Sequence, residues 1–111
     1  MYAIVRHYRT DAGSVRDMVR QVDAEFADRI PEQVGSLLYT AVDTGEGAAM
    51  TITLFADAES ATRSEAMVTQ VQRSLAERFG VDETTVHRGE VMVSRAAAAV
   101  AAPVRFAGTV S

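Results

Sequence analysis

The run Gly35-Ser36-Leu37-Leu38-Tyr39-Thr40-Ala41-Val42-Asp43-Thr44-Gly45-Glu46-Gly47-Ala48-Ala49-Met50-Thr51-Ile52-Thr53-Leu54-Phe55 holds two apolar stretches around a turn. Gly35 to Val42 and Ala48 to Phe55 are rich in β-branched, aromatic and long aliphatic residues at strand length. Asp43 to Gly47 supplies the acid and glycines of a hairpin loop. In the first strand Leu37, Tyr39 and Ala41 share one side, and Leu38, Thr40 and Val42 the other. In the second, Met50, Ile52 and Leu54 form an aliphatic side suited to a helix layer. Thr51, Thr53 and Phe55 form a mixed side suited to a partly polar cavity.

Outward from this hairpin the pattern changes period. Tyr2 to Arg9 reads as a strand, and Thr10 to Gly13 as a turn. Val15, Met18, Val19, Val22, Phe26 and Ile30 then recur at helical spacing behind Ser14, and Pro31 closes the run. After the hairpin, Asp57 or Ser60 caps a second helix with the stripe Ser64, Met67, Val68, Val71, Leu75 and Phe79, stopped by Gly80. Thr84 to Val93 reads as a fourth strand, with Gly89 a candidate bulge. The order strand, helix, strand, strand, helix, strand predicts an α+β, ferredoxin-like βαββαβ domain with a four-stranded antiparallel sheet in the order fourth, first, third, second. That domain is expected over residues 1–95. Residues 96–111 are expected to be an alanine-rich tail, disordered or packed on a partner.

Composition bounds the function. The 111 residues suit one domain. Cysteine is absent, which excludes disulfides, thiolate metal sites and cysteine nucleophiles. The net charge of −4 and the lack of an arginine stripe argue against nucleic acid. No apolar run is long enough for a membrane span and no secretory leader is visible, so the expected location is cytoplasmic. Gly45-Glu46-Gly47 lies between two strands and lacks the setting of a phosphate loop.

The strands alternate poorly. Ile4 with Val5, Leu37 with Leu38, Leu54 with Phe55, and Val91 to Val93 put apolar groups on both faces. Both faces therefore need cover, which points to a homodimer; the alternative is the tail folded over the open face. An enclosed space beside such a sheet is the place for a hydrophobic or aromatic small molecule. His7 and Tyr39 are the candidate catalytic groups, the first as a proton carrier near neutral pH, the second as an orienting hydroxyl. Thr51, Thr53 and Phe55 are the candidate cavity lining. His7 and His87 fall on neighbouring strands, but no acid accompanies them at ligand spacing, so no metal is expected. Arg6 and Arg9 suit either an anionic substrate or a salt bridge.

Tyr2-Ala3-Ile4-Val5-Arg6-His7-Tyr8-Arg9, Ser36 to Gly47, Leu54-Phe55-Ala56-Asp57 followed by Ala58-Glu59-Ser60-Ala61, and Gly89-Glu90-Val91-Met92-Val93 together resemble the antibiotic-biosynthesis-monooxygenase group, in particular small actinobacterial members. The likeness runs over residues 2–94. It implies a dimeric α+β barrel with a cavity in each subunit. It also implies an activity like that of group members that oxidise polycyclic phenols with molecular oxygen and no bound cofactor. Other members degrade haem with an asparagine, a tryptophan and a histidine; this chain has neither asparagine nor tryptophan. The resemblance thus implies a cofactor-independent monooxygenase for a small aromatic or phenolic compound. The alternative is a non-catalytic binding, regulatory or structural domain on the same architecture.

Overall fold

In the computed structural model, residues 1–10, Asp17, Arg20 and residues 35–101 are described. Four strands form one antiparallel sheet: β1 (Tyr2–Arg9), β2 (Ser36–Gly45), β3 (Ala48–Phe55) and β4 (Asp82–Glu90). Their order is β2-β3-β1-β4, the order read from the sequence. Helices α1 (Ala58–Arg63) and α2 (Glu65–Phe79) connect β3 to β4, and a single turn, α3 (Ala98–Ala101), lies in the tail. Asp17 and Arg20 are helical and ion-paired at 3.4 Å. The rest of the expected first helix, and Val104 to Phe106, lie outside the described residues.

The expected barrel is not formed. The sheet is open, with β2 and β4 as its two edges. A barrel requires the edge strands to close on each other, and two strands separate this pair. The ferredoxin-like connection of the four strands stands; the closure does not.

Register decides which side chains share a face, because directly opposed residues point to the same side. β1 and β3 pair Tyr2 with Phe55, Ile4 with Thr53, Arg6 with Thr51 and Tyr8 with Ala49. Ile4, Phe55 and Ala61 of α1 are fully buried together, with Tyr2, Tyr39, Met67 and Val86 packed around them. The helices therefore cover the side that holds Thr51, Thr53 and Phe55. This reverses the phase expected for β3. Met50, Ile52 and Leu54 face away from α1 and α2, beside Val5, Leu38 and Val42. Aliphatic character misled here because the large aromatic Phe55, rather than the three aliphatics, plugs the core under α1.

Local chemistry sets the element ends. The strands of the β2–β3 hairpin run closer to the turn than expected, leaving Glu46 and Gly47 as a two-residue loop with φ values of 55° and 77°. Two consecutive positive φ angles are the geometry of a type I′ turn, which matches strand twist. Asp43 accepts a hydrogen bond from the Gly45 amide at 2.9 Å and fixes the approach. The Asp57 carboxylate caps α1 by accepting from the Ser60 amide at 2.7 Å. The expected single second helix breaks at Ser64. That buried hydroxyl donates to the Ala61 carbonyl at 2.6 Å, and the Ser64 amide meets both Ser60 and Ala61 carbonyls at 3.2 Å. Gly80 ends α2 in the left-handed conformation, φ 63°, as its sequence position predicts.

Candidate functional site

The helix-facing side of the sheet is unusually hydroxylated. Tyr8 on β1, Tyr39 on β2, and Thr51 and Thr53 on β3 stand on it beside Phe55. Tyr39 is opposite Thr53, and Arg6 is opposite Thr51. A two-layer core of ordinary composition would hold aliphatic side chains at these positions. On this side of the strands the buried apolar residues are Ile4, Ala49 and Phe55.

A bulge brings an acid to the same side. β4 pairs Thr85 with His7 and then Glu83 with Tyr8, so Thr84 is skipped. Thr84 donates its hydroxyl to the His7 carbonyl at 3.3 Å, and Glu83 is turned toward the helices. The buried Arg6 guanidinium donates to Glu83 at 3.0 Å through Nη1, and its Nη2 stands 4.0 Å from Glu65. Gln72 of α2 donates to the Tyr8 hydroxyl at 3.1 Å and to Glu83. Arg88 pairs with Glu65 at the rim. Arg6 Nη2 is buried with no hydrogen-bond partner among the described residues.

Burial shapes the tyrosine chemistry. It pushes the Tyr8 hydroxyl above its ordinary pKa, against the hydrogen bond from Gln72 and the nearby Arg6 charge. Burial also pushes Tyr39 well up, and Tyr8 is near enough to oppose its ionisation further. Both groups are thus held as neutral phenols, able to donate hydrogen bonds and poorly suited to removing protons.

His7 and Tyr39 are not brought together. His7 is opposite Met50, on the side away from α1 and α2, whereas Tyr39 is opposite Thr53 on the helix side. Tyr39, Thr51, Thr53 and Phe55 share one wall. Gln72 and Glu83 were not singled out in the sequence. Gln72 sits beside the apolar stripe of a helix, and Glu83 reaches the wall only through a bulge that no residue type announces. Among the described residues no group of three or more metal-ligating side chains converges, and no helix is long and apolar enough to cross a membrane.

The sequence matches no family model and no curated protein. Solved structures do match. One is a candidate antibiotic biosynthesis monooxygenase from Deinococcus radiodurans, with TM-score 0.65 and 17% identity over 86% of this chain and 97% of that one. A second candidate of that description, from Chloroflexus aurantiacus, has TM-score 0.64 and 17% identity over 86% and 96%. HapK from Hahella chejuensis has TM-score 0.63 and 15% identity over 88% and 99%. At such identities the likeness is one of fold.

Proposed function

We propose that this chain binds a small aromatic or phenolic compound against the helix-facing wall of its sheet and oxygenates it without a bound cofactor. The observation that carries the reading is the set of Tyr8, Tyr39, Thr51 and Thr53 on one half-buried wall next to Phe55. The names of the Deinococcus and Chloroflexus proteins support it. The neutral tyrosines give donors for a substrate oxygen, and Phe55, itself buried under α1, forms the apolar floor behind them.

The tyrosines and threonines of the wall offer donors, and its one carboxylate, Glu83, is held by Arg6 and Gln72. The substrate must therefore be acidic on its own account, as a polycyclic phenol or phenolic ketone is. Its anion, held by the phenol O–H groups, gives up electrons to molecular oxygen. A ring CH2 or the C–H para to the hydroxyl then becomes a carbonyl. One oxygen atom enters the product, the other leaves as water, and the substrate loses four electrons to one O2.

A second reading, non-catalytic binding by the same wall, is favoured by the Arg6–Glu83–Gln72–Tyr8 network, in which several polar groups already satisfy one another. We also propose a homodimer that covers the aliphatic face of Val5, Leu38, Val42, Met50, Ile52 and Leu54.

Oxygen uptake with a hydroxyanthrone separates the two readings. Catalysis predicts enzyme-dependent uptake, reduced by roughly a hundredfold in Tyr39→Phe, as for loss of one donor at a developing oxyanion. Saturable binding with no uptake supports the binder, and neither response to any phenol sinks both.

A further inference from the structure

The opposite face of the sheet carries a different chemistry at one end. Where β1 finishes and β4 begins lies a groove of about 270 Å³, whose lining includes His7, Arg9, Thr44, Thr84, Thr85 and His87. His7 pairs with Thr85, and Val5 with His87, so both histidines stand on the side away from α1 and α2. Their rings meet edge to face, with centroids 6.1 Å apart and planes at 89°.

We infer that this groove binds a small oxyanion, a compound presenting a carboxylate or a phosphate. The chain as a whole is acidic, with 15 acids against 11 arginines and no lysine. Yet no carboxylate lines this groove, and an arginine and two imidazoles do. Imidazole N–H, guanidinium N–H and threonine O–H groups are donors, the complement of an oxyanion's acceptors. A metal ion would meet only two nitrogen ligands and the Arg9 charge, short of the three protein ligands usual even in open sites. Three acids are opposite lining residues without lining the groove themselves: Asp82 opposite Arg9, Glu83 opposite Tyr8 and Asp43 opposite Ala49. The volume lies just below the range of about 300–1,000 Å³ common for drug-sized ligands, so the groove suits a small acid. Tyr8 borders this groove as well as the tyrosine wall, but the donors His7, Arg9 and His87 stand on the other side of the sheet, at the strand-end margin of the face that the proposed homodimer covers.

The chain has only two histidines, so its imidazole NMR spectrum resolves the site directly. The full-length protein is titrated with inorganic phosphate, with benzoate, and with sodium chloride at matched ionic strength. The expected result is a saturable shift of both imidazoles with one shared Kd for phosphate or benzoate, and no saturation in chloride. The tighter of the two anions identifies the head group. Arg9→Gln, at an exposed position, should raise that Kd by about threefold to fivefold without altering the amide spectrum. Shifts that follow ionic strength equally in chloride overturn the proposal. So does a saturable response to zinc alone with both anions inert.

Discussion

Arg6 and Glu83, 77 residues apart in sequence, meet at 3.0 Å on the helix-facing side of the sheet. They meet because Thr84 bulges out of the β1–β4 ladder and turns Glu83 inward. Arg6 is only 6% exposed, so its charge depends on this neighbour and on Glu65 rather than on water.

Replacing Glu83 by glutamine keeps the shape and removes the charge. The buried guanidinium then has Glu65 as its remaining carboxylate among the described residues, 4.0 Å away. Glu83→Gln is expected to cost about 1.5–3 kcal/mol, the range for a hydrogen bond to a charged partner. Urea unfolding measures it. An unchanged midpoint would show that the pair adds nothing to stability.

The tyrosine wall predicts an alkaline limit. Burial raises both Tyr8 and Tyr39. A raised folded pKa means that the folded state keeps a proton the unfolded chain releases. Stability from this source is whole below pH 10, the ordinary tyrosine value, and falls as pH rises beyond it. Unfolding temperature followed from pH 8 to 11 should drop in the wild type. It should drop less in Tyr39→Phe, which has one fewer phenol to ionise. Equal slopes in the two proteins would mean that Tyr39 ionises as easily folded as unfolded.

Strand periodicity made β1 and β3 legible to the residue, and hairpin chemistry placed β2 and its turn within a few positions. Gly80 marked the end of α2 correctly because only a residue tolerant of positive φ fits there. The facing of β3 was not legible. With Leu54 and Phe55 both apolar, alternation gives the two faces but not which one the helices choose. The bulge at Thr84 was equally hidden, and with it the arrival of Glu83 beside Tyr8 and Arg6. The fourth strand begins at Asp82 and ends at Glu90, earlier at both ends than its apolar residues suggested. β4 starts among charged residues because its first pairs, with Arg9 and Tyr8, are made by backbone rather than by apolar packing. The residues that share the wall were thus readable singly, while their assembly depended on register.

Asp57 offers a separable test of local structure. Its pKa is lowered first by the hydrogen bond from the Ser60 amide. The cap therefore adds stability above the ordinary carboxyl range, and that stability is lost as pH falls through the lowered value. Asp57→Ala should reduce Tm at pH 7 by roughly a few degrees, and the gap from wild type should narrow as pH falls below about 4. Asp57→Asn, which keeps an acceptor, should stay near wild type. A gap that persists unchanged at pH 2.5 would assign the effect to something other than the charged cap.

The aliphatic face gives the last prediction. Ile52 sits on β3, opposite Val5 on one side and Thr40 on the other, on the face that α1 and α2 leave uncovered. In a monomer a charge there would meet solvent and disturb the fold little. In a dimer joined through this face it would be buried without a partner, a cost that a non-covalent pairing of small domains does not survive. Ile52→Glu should therefore convert a dimer to a folded monomer, seen as a halved mass by sedimentation equilibrium with an unchanged far-UV spectrum. A wild type that is monomeric at high concentration removes the dimer outright. A variant that remains dimeric moves the contact to another surface, with the edges β2 and β4 and the exposed Met92 and Val93 as the remaining candidates among the described residues.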